Sequence, residues 1–112
     1  MSKRLLGEGR GIFDFIISGE VIFVTEPMDY IGKCVGKIVL TPAPSPDIYL
    51  IATECAGIIS EKGGIVSHLA MICLEQGIPA IVGLQDAFQT VKKHRRITMV
   101  SNQGRGEVYA DD

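Results

Sequence analysis

The stretch from Ala56 to Gly83 constrains the fold more than any other part of the chain. It opens on an apolar run, Ala56-Gly57-Ile58-Ile59-Ser60, and passes through Gly63-Gly64 into a segment with Ala70, Met71 and Leu74 at helical spacing. It closes through Gly77 and Pro79 into Ala80-Ile81-Val82. Ser67 is placed to cap the helix and Gly77 to end it. Short runs without alternation are what strands buried on both faces look like, and parallel strands are usually so buried. Strand, helix, strand in that order implies a right-handed crossover between neighbouring strands.

The flanks read as β-rich. Ile12 to Ile17 and Val21 to Thr25 are dense in Ile, Val and Phe and are separated by Ser18-Gly19, which predicts a hairpin. Ile38-Val39-Leu40-Thr41 predicts a strand ended by Pro42, Pro44 and Pro46. Ile48, Ile51, Ala52 and Cys55 then recur at helical spacing, with Asp47 near the positive end of that helix. Beyond Gly83, a helix is expected over 86–91 and strands over 97–100 and 107–109 with a glycine-containing turn between them. The expected fold class is α/β, a swivelling β/β/α domain with a mixed sheet and hairpins. No repeat or linker divides the 112 residues, so a single domain, 1–112, is expected.

Charge narrows the partners. The formal net charge is −2, so no long-range field favours nucleic acid or an anionic membrane, and neither is expected as a partner. The basic cluster Lys92-Lys93-His94-Arg95-Arg96 is short and isolated and reads as a solvated turn. Cys34, Cys55 and Cys73 are odd in number and far apart in sequence, without a C-x-x-C pair, and read as small core residues. With no signal-peptide core in Met-Ser-Lys-Arg-Leu-Leu and no run of membrane-spanning length, a reduced, cytoplasmic location is expected. No carboxylate cluster points to a metal site, so no tightly bound cofactor is expected.

The chemistry concentrates at Glu61-Lys62-Gly63-Gly64-Ile65-Val66-Ser67-His68-Leu69-Ala70. A helix N-terminus gathers unpaired N–H groups and the positive end of the macrodipole, which makes it an anion site. Gly63 and Gly64 let the backbone approach a phosphate with no Cβ in the way, or else simply form a tight turn. Histidine suits a temporary phosphoryl carrier, because an ordinary imidazole pKa of about 6.5 leaves much of it neutral and nucleophilic at cellular pH. Ser67 caps the helix, and its hydroxyl is also placed to donate to phosphate. Thr41, if its strand ends beside the glycines, either orients the imidazole or phosphate or caps a turn.

Gly63-Gly64-Ile65-Val66-Ser67-His68-Leu69-Ala70, continuing to Gly77-Ile78-Pro79-Ala80-Ile81-Val82-Gly83, resembles the signature of the PEP-utilising mobile domain. That family includes phosphoenolpyruvate synthase, pyruvate phosphate dikinase, enzyme I of the sugar phosphotransferase system and rifampicin phosphotransferase. The resemblance implies that His68 is the catalytic phosphoryl acceptor, with Ser67 beside it and Gly63, Gly64 and Thr41 binding phosphate. It further implies a rigid body that swings between two active sites supplied by partners, a nucleotide-binding and a PEP- or pyruvate-binding protein or domain. The chain is then one component of a phosphotransferase and needs those partners for turnover. Mg²⁺ accompanies PEP or ATP only at the partner sites. Two positions depart from the family pattern. Cys73-Leu74 stands where an Ala-Arg pair is usual, and Asn102-Gln103 replaces an acidic turn. Leu69 and Leu74 are candidates for a docking surface. The chain also resembles, in size and element order, the swivelling small subunit of an aconitase-like dehydratase, which carries no phosphohistidine. A non-catalytic regulatory relic is the third reading. Gly-Gly-x-x-Ser-His is the feature that separates the carrier from the dehydratase subunit.

Overall fold

The computed structural model describes residues 4–43, 45–64 and 67–111. Ile65 and Val66 of the glycine–histidine motif, and Pro44 of the proline cluster, lie outside them. The strands are β1 (Leu5–Gly11), β2 (Phe15–Phe23), β3 (Ile38–Thr41), β4 (Gly57–Ser60), β5 (Ala80–Val82), β6 (Arg96–Asn102) and β7 (Arg105–Ala110). The helices are α1 (Tyr49–Ala52), α2 (His68–Gln76) and α3 (Phe88–Val91), with 3-10 turns at Pro27–Tyr30 and Pro46–Ile48.

The mixed α/β class, the mixed sheet and the hairpin of β6 and β7 agree with the sequence reading, but the expected β/β/α sheet does not stay open. The strands close into a barrel in the order β1-β5-β4-β3-β2-β6-β7, with β7 pairing back onto β1. From β2 through β3 and β4 to β5 each neighbour is parallel, in registers that set Phe23 against Leu40, Thr41 against Ser60 and Ile59 against Ile81. The remaining pairs are antiparallel.

Side-chain alternation along the parallel strands divides the core in two. Ile38, Leu40, Ile59 and Ile81 point into the barrel, where they meet Leu84, Phe88, Val91, Ile97, Met99 and Val108. Val39, Ile58, Ala80 and Val82 point outward and are covered by Ile48, Ile51, Leu69 and Cys73 from the helical layer. Both faces are buried, which is why these strands lack an alternating pattern. The thiols of Cys34 and Cys73 are fully buried, as expected, and Cys55 packs at the margin of the same layer.

The expected hairpin at Ser18-Gly19 is absent, because β2 runs straight through it. β6 supplies a register partner for every residue from Phe15 to Glu20, Gly19 included, and the Ser18 and Thr98 hydroxyls hydrogen-bond at 2.7 Å. β1 was not foreseen either. Gly7, Gly9 and Gly11 lower the strand propensity that sequence reading relies on. Here they are required by space: a Cβ on Gly9 would stand 2.6 Å from the Val82 carbonyl oxygen, and those on Gly7 and Gly11 would collide with Ala87 and Ser101. Bare backbone lets β1 press close enough to β5 and β7 to complete the barrel. Its ladder with β7 extends outward to the Ala110 N–H, which donates to the Arg4 carbonyl at 2.8 Å.

Candidate phosphoryl-acceptor site

The site lies where parallel strands β3, β4 and β5 end, the edge at which open α/β sheets also bind ligands. Past its last ladder partner, β4 stays tied to its neighbour. The Glu61 N–H donates to the Thr41 carbonyl at 3.0 Å and the Lys62 N–H to the Pro42 carbonyl at 3.2 Å. The Ser60 hydroxyl donates to the Lys62 carbonyl in a short contact. The chain then departs at Gly63, whose φ of +112° is one that L side chains rarely adopt.

Ser67 begins α2 as expected. Its backbone is extended, with φ −72° and ψ 161°, and its hydroxyl accepts from the Ala70 N–H at 3.2 Å. Its own N–H donates to the Gly64 carbonyl at 3.0 Å, fixing the angle at which the chain enters the helix. At the far end Gly77 takes the left-handed conformation, φ 70° and ψ 33°. His68 occupies the first helical position with its side chain exposed. The first-turn N–H groups of His68 and Leu69 have no carbonyl four residues back within the helix, so positive potential concentrates beside the imidazole.

Ser45, Pro46, Ser67, His68 and Leu69 line a cleft of about 220 Å³. None of the five is charged apart from the titratable imidazole, so an anion held there meets hydroxyls and backbone dipoles. Among the expected site residues, Ser67 and His68 are brought together in this cleft, and Gly63 stands at its approach, with the position of a Cβ 3.6 Å from the Ser67 hydroxyl oxygen. A Cβ on Gly64 would meet nothing within 4 Å. Thr41 is 3% exposed and sits beneath the loop, beside Ser60, rather than in the lining of the cleft.

Three contributors escaped the sequence reading. Ser45 and Pro46 form the opposite wall, and the only signal for them was that a proline cluster follows a strand end. Gly83, with φ +74°, lets the Gly63 carbonyl pack 3.3 Å from where its Cβ would be. Leu69, proposed above for docking, is 2% exposed and belongs to the core, because its position on α2 faces the sheet. His94, in the basic cluster, lies at the turn between α3 and β6, where its N–H donates to the Val91 carbonyl at 3.1 Å.

The PEP-utilising enzyme, mobile domain, family profile matches residues 34–104, the span that holds β3, the glycine loop and α2. The chain belongs to this family. Curated relatives of the mobile domain include phosphoenolpyruvate synthase from Synechocystis sp., 37% identical over 96% of this chain, and a pyruvate kinase from Sporosarcina psychrophila, 33% identical over 89%. The chain spans only 13% and 17% of the lengths of those two proteins. Among solved structures, Thermococcus kodakaraensis aconitase X shares the fold with a TM-score of 0.62 at 19% identity, covering 96% of this chain and 98% of that one. A UPF0107 protein solved in solution does so with a TM-score of 0.59 at 15% identity, with the same coverage of both chains. At those identities the likeness concerns the fold alone. No helix among the described residues is long and apolar enough to cross a membrane.

Proposed function

We propose that this mobile domain is a phosphoryl carrier, transiently phosphorylated on His68, that relays phosphate between partner active sites in PEP-linked phosphotransfer. The observation that carries this reading is the exposed His68 at the first position of a Ser67-capped helix, reached through a glycine loop in which Gly63 requires a positive φ. Family membership supports the same role, since relatives named phosphoenolpyruvate synthase align over most of the chain.

In the proposed step a neutral imidazole nitrogen attacks phosphorus in line. The N–P bond forms as the bond to the leaving oxygen breaks, and the leaving group departs as the enolate of pyruvate or as a nucleotide. The helix N-terminus and the Ser67 region stabilise charge on the equatorial oxygens. The reverse displacement by an acceptor regenerates free imidazole. Among the described residues no Lys or Arg lines the cleft, so neutralising charge comes with the partner, as Mg²⁺ bound with PEP or ATP or as a basic side chain. Among the described residues no group of three His, Cys, Asp or Glu side chains is arranged to hold a metal.

The test is incubation of wild type and His68→Ala with phosphoenolpyruvate labelled in its phosphoryl group plus host-cell extract, followed by intact mass and an acid-lability assay. Acid-labile, base-stable phosphate on wild type alone is the expected result. Equal labelling of both proteins, or none on wild type under conditions that label a known carrier, overturns the proposal.

A further inference from the structure

Along the flank of α2, a second cleft of about 330 Å³ opens between the helix and the end of β1, lined by Arg10, Gly11, Ile12, Met71, Leu74 and Gly104. Met71 and Leu74 are 55% and 61% exposed. They follow His68 at successive three-residue steps, so each is a neighbour of the next along a row that winds around the exposed surface of the helix. Gly11 and Gly104 contribute no side chain and leave the floor open beside Ile12.

Arg10 is the one charged residue lining this cleft among the described residues. In the β1–β7 ladder Arg10 lies directly opposite Arg105, a like-charge pairing, and Glu8 lies opposite Glu107. The conflict resolves to one side: the Arg105 guanidinium donates to Glu8 at 2.6 Å and also approaches Glu107 at 3.8 Å. Arg10 is left without an ion-pair partner among the described residues. Among the described residues the strands close into a barrel without a free edge, so a partner docks here through side chains rather than by adding a strand.

We infer that this groove docks the phosphoryl-donating partner, through an apolar side chain that seats against Met71, Leu74 and Ile12 and an adjacent carboxylate that pairs with Arg10. The inference rests on the carrier role proposed above and names the partner chemistry for it. Charge complementarity selects the carboxylate. With a net charge of −2 the whole chain does not attract an acidic partner at long range, so recognition of that acid is local to Arg10. Seated there, the partner presents its phosphoryl group between about one and two helical turns away, at His68.

The experiment compares two donors on the full chain. Phosphoramidate, a small chemical donor, phosphorylates accessible histidine without docking. Labelled phosphoenolpyruvate with host-cell extract requires the protein partner. Met71→Glu/Leu74→Glu and Arg10→Glu place charges at exposed positions, and a glutamate at position 10 would face Arg105, so folding is retained. Both variants should accept phosphate from phosphoramidate at the wild-type rate, while extract-dependent labelling slows roughly tenfold or more for the double variant and several-fold for Arg10→Glu. Unchanged extract-dependent rates in both variants, with wild type labelled, overturn the docking assignment and leave the carrier role standing. Equal slowing with both donors also overturns it, since that places the damage at His68. Failure of wild type to label from the extract removes the carrier role and this inference with it.

Discussion

Gly63 and Gly64 are adjacent, yet the fold requires only the first. Gly63 holds φ +112°, whereas Gly64 has no positive φ and open space where a Cβ would stand. Gly63→Ala should therefore cost about 1–3 kcal/mol in a urea titration. Gly64→Ala should stay within about 0.5 kcal/mol of wild type, as other exposed substitutions do. Labelling of His68 separates the roles. If phosphate uses the space above Gly64, its alanine variant should label roughly tenfold more slowly while unfolding at the same urea concentration. A wild-type rate in Gly64→Ala would assign the glycine pair to turn formation alone. Ser67→Ala removes the hydroxyl that accepts from Ala70 and should cost about 1 kcal/mol, read from the same titration.

Between the barrel wall and the helices, two loop residues and one residue of α2 bring thiols to one layer. Burial pushes the Cys55 thiol up to about 12, helped by the neighbouring Cys34 and Cys73, and burial alone pushes Cys73 up to about 11. Burial, then the Glu54 carboxylate, raises Cys34 as well. These groups stay protonated in the folded chain at pH values where the unfolded chain, with its ordinary thiol value of 9.0, has ionised. Stability is thus fully present below pH 9 and falls as pH rises toward 11–12, by about tenfold in the folding equilibrium per pH unit for each such thiol. Cys55→Ser and Cys73→Ser should flatten that decline in urea titrations between about pH 9 and 11, even if both variants start from lower stability. The same elements show what a sequence discloses. α2 was legible to the residue because Ser67 and Gly77 are chemical punctuation whose geometry is local. The wall residues Ser45 and Pro46 were not, since they reach His68 only through the packing of a separate turn against α2. β1 was hidden for a related reason, as its glycines answer to Val82, Ala87 and Ser101, residues far along the chain.

At the scale of the whole molecule, closure ties the strands into one cooperative body. Gly9→Ala would force a side chain against the Val82 carbonyl, in the strand pairing that completes the barrel. It should lower stability by about 1–3 kcal/mol while unfolding remains a single transition when followed by circular dichroism and by aromatic absorbance. Loss of coincidence between the two probes would show that β1 detaches on its own. Closure was the feature least visible beforehand, because hydrophobic patterning identifies strands but not which first and last strands will meet.

The meeting of β1 and β7 also decides how such a body can be held. Arg4 and Ala110 are hydrogen-bonded neighbours, so polypeptide continuing from either side would leave from almost the same spot. Two tethers at opposite poles would pin an object to an axis. Two tethers at one spot act as a ball joint, about which the rest of the barrel can sweep an arc without any internal bond being broken. In a carrier tethered on both sides, as the proposed function requires, the ladder that shuts the barrel would therefore also set the pivot, and rigidity inside and freedom outside would come from the same pair of strands.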